Sequence, residues 1–236
     1  RLDRPAIFLN GGPMLGGPYL HNRKSDSTSI IEGVGRLLTG DITEDELLNM
    51  ENRCAPGCGS CSFLGTANTL GCLADALGMS LPGSAMIPAV SSARLAMAQK
   101  TGQAIVKLVE GNITARQVIT AKSIENAVRL TSAIGGSTNA ALHVPAIAYE
   151  AELGFDLNMF DKFSRSTPLI AKMNPSASAN VIDFYESGGV PAVLSELTSL
   201  IHTDVMTVSG QTVAENLRGI KSPNNDVIKT YAEPFD

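Results

Sequence analysis

Helix-period apolar stripes, each bounded by a glycine or a capping residue, run through most of the chain and constrain its fold more than any other feature. Residues 26–38 carry Ile30, Ile31, Val34, Leu37 and Leu38 on one side and stop at Gly40. Thr43-Glu44-Asp45-Glu46 has the form of a capping box. Ile42 and Leu47 are spaced as its hydrophobic staple, and the helix it opens runs to about Asn52. Residues 65–77 align Leu70, Leu73, Ala74 and Leu77 before Gly78, and residues 91–110 align Leu95, Ala98, Gly102, Ile105 and Val109 before Gly111. Residues 123–134 repeat the pattern with Ile124, Ala127, Val128, Thr131 and Ile134. Residues 140–152 are apolar almost all round, which predicts a buried helix kinked at Pro145. Asn158 caps a short helix through Ser164. After Gly188-Gly189, Val190, Val193, Leu194, Leu197, Leu200 and Ile201 mark an amphipathic helix. Strand-like runs are few, at 6–9 and 170–173. Many helices and few strands predict an α/β fold, helix-rich and layered, with a small, mostly parallel sheet.

A chain of 236 residues, 44% of them hydrophobic, can bury one large core or two small ones. Aromatics make up 5%, Trp is absent and there are 22 glycines, so the interior is built from small residues and tight turns. Eighteen basic against 23 acidic residues leave a net charge of −5 with no basic stripe, which argues against nucleic acid and anionic membranes. No apolar run spans a bilayer and no signal peptide is visible. Four cysteines in this length do not make a disulfide scaffold, and a reducing cytoplasm is the expected compartment. The chain starts at Arg1, directly before a strand-like run, and reads as part of a longer protein. Residues 1–220 are expected to form an incomplete domain, and the polar, Pro-containing residues 221–236 a linker.

Three of the four cysteines fall in one Gly-rich turn, Cys54-Ala-Pro-Gly-Cys58-Gly-Ser-Cys61. Bunched thiols suggest soft-metal or redox chemistry. The C-x3-C-x2-C spacing is shared with radical S-adenosylmethionine enzymes, which hold a four-iron cluster. Those sites place an aromatic before the last Cys, where this chain has Ser60. A closed zinc site needs four ligands. Cys72, on the buried side of the next helix, reads as a small core residue. Asn10-Gly11-Gly12-Pro13-Met14 follows a strand-like run, where α/β folds bind ligands, although a plain tight turn has the same composition. Gly135-Gly136-Ser137-Thr138-Asn139 opens a helix and suits either anion binding or N-capping. His21, His143 and His202 show no partner pattern, and His143 reads as a core histidine.

These segments, in order, resemble the dihydroxy-acid dehydratase and sugar-acid dehydratase family. Asn10 to Met14 is similar to its Gly-Gly-Pro-Met turn. Pro56 to Cys61 with Gly65-Thr66-Ala67-Asn68-Thr69 resembles its cysteine segment, and Leu81-Pro82-Gly83-Ser84 its Leu-Pro-Gly loop. Gly135 to Asn139 resembles its Gly-Gly-Ser-Thr-Asn motif and Gly188-Gly189-Val190-Pro191 its Gly-Gly-Val-Pro segment. The resemblance implies a hydro-lyase that converts a 2,3-dihydroxy acid or sugar acid to a 2-oxo acid, as in branched-chain amino acid biosynthesis or sugar-acid metabolism. It implies an iron–sulfur cluster, 2Fe-2S or 4Fe-4S, held by three Cys from separate parts of the chain, and a nearby Mg²⁺. Cys61 matches one cluster ligand. Cys58 matches a non-ligand cysteine and Cys54 has no assigned role. Gly11, Gly12, Met14, Ser137, Thr138 and Asn139 are implied to line the substrate pocket, with Thr66 and Asn68 supporting the cluster loop by hydrogen bonds. The other cluster cysteines and most Mg²⁺ ligands are implied to precede Arg1. The last Mg²⁺ ligand and the catalytic base are implied to lie in a β-rich C-terminal domain, so this segment alone is expected to be inactive. The partners implied are a small hydroxy acid and, in the longer protein, a second copy in a homodimer or dimer of dimers. The competing expectations are a radical S-adenosylmethionine or other redox iron–sulfur protein using Cys54, Cys58 and Cys61, and a non-catalytic scaffold.

Overall fold

A computed structural model describes residues 2–20, 23–221 and 225–236. His21 lies outside the described residues. A two-residue antiparallel pair comes first, β1 (Tyr19–Leu20) with β2 (Arg23–Lys24). Then follow α1 (Ser27–Leu38), α2 (Glu44–Arg53), α3 (Thr66–Ala76), α4 (Ser92–Glu110), α5 (Ala115–Val118), α6 (Ala121–Ala133), α7 (Ala140–Glu150), α8 (Asn158–Ser164), α9 (Val181–Glu186), α10 (Gly189–Glu196) and α11 (Val213–Asn216).

The helix starts follow local chemistry. Asp26 caps α1 by accepting from the Thr28 and Ser29 amides. The Thr43–Glu46 box closes reciprocally at α2, at 3.2 Å and 2.8 Å. Thr120 and Ser123 do the same for α6. The core forms where α6 packs against α3, α7, α8 and α10. Leu73, Val128, Leu130, Ile134, Val144, Ile170, Phe184, Val193 and Leu197 are all buried there, and Cys72 joins them as a small apolar filler.

Three helices turn away from the faces expected of them. In α1, Ile31, Val34 and Leu38 are exposed and Ser29 and Gly33 are buried. A Cβ on Gly33 would lie 2.9 Å from Leu47 and 3.0 Å from Met50, so α1 meets α2 through its glycine rather than its apolar stripe. In α4, Leu95 and Val109 are exposed while Arg94 and Leu108 are buried. In α7, expected to be buried all round, only Ala140, Val144 and Ala148 are buried, and Leu142 and Tyr149 face solvent.

The strand content is lower still than the sequence suggests. Residues 6–9 form no strand and are held by a bond from the Phe8 amide to the Met79 carbonyl and by the Ser80 hydroxyl on the Phe8 carbonyl. Parallel pairing is confined, among the described residues, to a single bridge between Pro13 and Ser60. Residues 170–173 pair with the chain's own tail. Ala171 bridges Ile228 in antiparallel sense, the Lys229 amide donates to the Ile170 carbonyl, and Ile228 is fully buried. The stretch read as a linker is therefore docked on the core from Asn225 onward. No helix among the described residues is long and apolar enough to cross a membrane.

Candidate functional site

The Gly-rich turn at 10–14 is fixed on two sides. On one side the Met14 amide donates to the Ser60 carbonyl at 2.7 Å and the Ser60 amide donates to the Gly12 carbonyl at 3.0 Å. On the other side the Ala89 amide donates to the Pro13 carbonyl at 2.9 Å. Asn10 anchors the start, its Nδ2 donating to the Ala85 carbonyl at 2.8 Å. Gly12 is required here. Its φ is +89°, and a Cβ would sit 2.3 Å from the Ile87 carbonyl oxygen and 2.7 Å from Arg94 Nη2.

Arg94 was not foreseen in the sequence. It lies in the first turn of α4 and is only 6% exposed. Its Nη1 donates to the carbonyl and the side-chain oxygen of Asn10, both at 3.1 Å, and Nη2 donates to the Ile87 carbonyl at 2.5 Å. Burial pulls its pKa down from the ordinary guanidinium range.

The cysteine loop lies against this turn through Ser60 and leads into α3. Asn68, fully buried in the first turn of α3, organises it. Its Nδ2 donates to the Cys61 carbonyl at 2.5 Å and the Phe63 carbonyl at 2.7 Å, and its Oδ1 accepts from the Ser60 hydroxyl at 2.7 Å. Cys61 is half-buried, with a free thiol. The other two cysteines of the loop differ from it in burial. Cys54 is wholly buried as the C-cap of α2, against Gly17, and Cys58 is exposed. The three thiols are thus in three different environments. Among the described residues no group of three or more His, Cys, Asp or Glu is placed to hold a metal ion. The described residues therefore do not make a self-contained three-cysteine metal site.

The 135–139 turn closes the other side. Asn139 Nδ2 donates to Thr66 Oγ1 at 2.6 Å, Ser137 Oγ lies 3.4 Å from the same oxygen, and the Ser137 amide donates to Thr69 Oγ1 at 3.0 Å. Thr138 contributes a carbonyl that accepts from the Ala141 amide. Two hydrogen-bonded sets thus meet at the first turn of α3: Gly12, Met14, Ser60, Asn68 and Cys61 form one, and Thr66, Thr69, Ser137 and Asn139 the other, while Gly11 enters neither.

Behind the site, Asp75 in α3 braces the Leu-Pro-Gly loop. It accepts from the Gly83 amide at 3.0 Å, and burial pushes its pKa up to about 7 against the bonds from Gly83 and Ala85. The remaining histidines stand apart. His143 lines an apolar cavity of about 540 Å³ with Phe8, Leu70, Leu73 and Ile147. His202 finds a partner that the sequence did not reveal, Glu125, at 3.1 Å.

The family described as dihydroxy-acid/6-phosphogluconate dehydratase N-terminal matches residues 1–216. Among curated relatives, the dihydroxy-acid dehydratase of Nitratidesulfovibrio vulgaris (strain DSM 19637 / Miyazaki F) is 44% identical over 239 residues, covering 100% of this chain and 43% of its own length. That of Moorella thermoacetica is 44% identical over 237 residues with the same coverages. That of Carboxydothermus hydrogenoformans is 42% identical, again across the whole chain and 43% of the relative. The chain therefore spans less than half the length of the relatives it matches, and it belongs to the dihydroxy-acid/6-phosphogluconate dehydratase family, matching the family's N-terminal part.

Proposed function

We propose that this chain is the cluster-bearing part of a hydro-lyase that converts a 2,3-dihydroxy acid to a 2-oxo acid. The observation that carries the reading is that the 10–14 turn is bonded to the cysteine loop through Ser60, and the 135–139 turn to the start of α3, the helix that this loop enters, through Thr66 and Thr69. An iron–sulfur cluster held by Cys61 and by cysteines outside residues 1–236 would supply Lewis acidity for the departing C3 hydroxyl, and Mg²⁺ would supply charge for the carboxylate end.

The chain's own residues hold and orient. Asn68 binds the Cys61 and Phe63 carbonyls and so fixes the loop from which the Cys61 thiolate projects. Gly11 and Gly12 offer backbone amides to the acid's carboxylate, as successive N–H groups of a glycine turn do. Asn139 and Ser137, tied to Thr66, present polar groups at the start of α7 to the hydroxylated part of the substrate. Met14 gives the pocket an apolar wall. The proton leaving C2 passes to a base outside residues 1–236, so the segment alone is inactive in this reading.

The test uses the longer protein, with its cluster reconstituted anaerobically and Mg²⁺ added. 2-Oxo acid formation is followed from 2,3-dihydroxy-3-methylbutanoate and from several aldonic acids. Turnover of the branched dihydroxy acid is expected, with loss of activity in Cys61→Ser. Silence on every substrate, with cluster and Mg²⁺ shown to be present, would sink the proposal in favour of a scaffold.

A further inference from the structure

We propose that Arg94 is the positioning residue of an anion cradle at the 10–14 turn and that its charge selects a carboxylate there. The proposal rests on the reading of that turn as substrate-binding. Arg94 is buried and charged, yet among the described residues no carboxylate is in ion-pair contact with it. Its three acceptors, the Asn10 carbonyl, the Asn10 amide oxygen and the Ile87 carbonyl, are all neutral. A buried guanidinium without a counter-charge is costly to keep. Its Nε is also without a partner.

The geometry shows where the counter-charge belongs. Arg94 Nη2 lies directly behind Gly12, 2.7 Å from where a Cβ would stand. Among the described residues neither the Gly11 nor the Gly12 amide donates a hydrogen bond within the protein. Gly11 is exposed and Gly12, at positive φ, is buried with the guanidinium beside it, so two unpaired amides of a glycine turn lie next to a cation. Arg94 also stands in the first turn of the 19-residue helix α4, whose positive pole adds to its field and whose first turn holds no acidic residue. An anion on the Gly11 and Gly12 amides completes the charge balance without touching Arg94. The ligand class is a carboxylate-bearing small molecule, which fits the acid end of the proposed substrate.

The experiment compares binding of 3-methyl-2-oxobutanoate and its neutral amide to the longer protein by calorimetry, in the wild type, Arg94→Met, Arg94→Gln and Arg94→Lys. Any Mg²⁺ contribution to the carboxylate preference is common to all four proteins, so the ratio between variants isolates Arg94. Arg94→Met and Arg94→Gln are expected to lower the carboxylate-over-amide preference roughly tenfold, the effect of a unit charge at about 10 Å and an effective dielectric of about 20. Arg94→Lys, which keeps the charge, is expected to retain the preference within about threefold. Equal weakening of both ligands in the neutral variants makes Arg94 a structural brace and overturns the proposal. Failure of both neutral variants to fold overturns it as well, because the residue is then needed for the fold whatever binds. A wild type that prefers the carboxylate but dehydrates no acid refutes the enzymatic reading and leaves the cradle standing.

Discussion

Gly59→Ala is the sharpest single test of how the Gly-rich turn and the cysteine loop are joined. Gly59 has φ of +132°, and a Cβ there would lie 2.3 Å from the Met14 amide nitrogen, 2.6 Å from the Pro13 carbonyl carbon and 2.8 Å from the Met14 Cα. All three are backbone atoms, so no side chain can swing aside. The backbone conformation alone costs an alanine about 1–3 kcal/mol. To escape the clash the loop has to withdraw from the turn. That breaks the bonds between Met14 and Ser60 and between Ser60 and Gly12, each worth about 1 kcal/mol. The expected loss is about 3–5 kcal/mol. Gly57 is the internal control. Its φ is also positive, +105°, but its Cβ would meet nothing nearer than Val90 at 3.9 Å. Gly57→Ala should therefore cost only the conformational part, leaving a difference of about 2 kcal/mol between the two variants. Urea titration of both, followed by circular dichroism, measures that difference. Equal destabilisation would show that the close approach of the loop to residues 13–14 is not what holds the site together.

Three further outcomes are expected. Replacing Cys54, Cys58 and Cys61 singly by Ser in the longer protein should abolish bound iron only for Cys61, as read by iron analysis; loss in all three would restore the self-contained cysteine site. Asn68→Ala should destabilise by about 2–4 kcal/mol by stranding the Cys61 and Phe63 carbonyls, and Asn68→Asp, which cannot donate to them, should be at least as damaging in the same urea titration. Asp75 gives a pH signature. Its carboxyl, raised to about 7 by burial, holds a proton in the folded chain that the unfolded chain releases near pH 4. Its stabilising contribution is complete below about pH 4 and is lost as the pH rises to about 7, by up to about 4 kcal/mol, so stability measured across that window should fall with pH and the slope should flatten in Asp75→Asn.

The helices were legible because their signals are local. Thr43 caps α2 through a bond spanning three residues, as its capping box predicts, whereas the Asp26 and Thr120 caps, equally local, were not read, and α6 starts two residues before the stretch read as helix. Which face each helix buries was less legible, since an apolar stripe does not specify which neighbour covers it. Gly33 against Leu47 and Met50 decides α1, and the guanidinium of Arg94 decides α4. Residues 6–9 and 170–173 have the composition of strands, but a strand also needs a partner. The first finds the Met79 carbonyl and the Ser80 hydroxyl, the second the chain's own tail. The site divides in the same way. Its glycines, Cys61 and Asn139 stand out as turn and ligand chemistry, whereas the bonds that assemble them reach across 48 residues from Ser60 to Gly12 and 73 from Asn139 to Thr66.

Arg94 lies between the two cases, and a local anomaly marked it. A cation in the first turn of a helix opposes the helix dipole, and with no acidic residue in that turn nothing nearby compensates it. Such a placement makes physical sense only if the charge serves something outside the helix. The hydrogen bonds to Asn10 and Ile87 show that it serves the 10–14 turn. A charged residue where the helix disfavours it, preceded by a capping serine at position 91, is thus a local sign that the motif-by-motif reading passes over, since it lies outside the five segments that resemble the family.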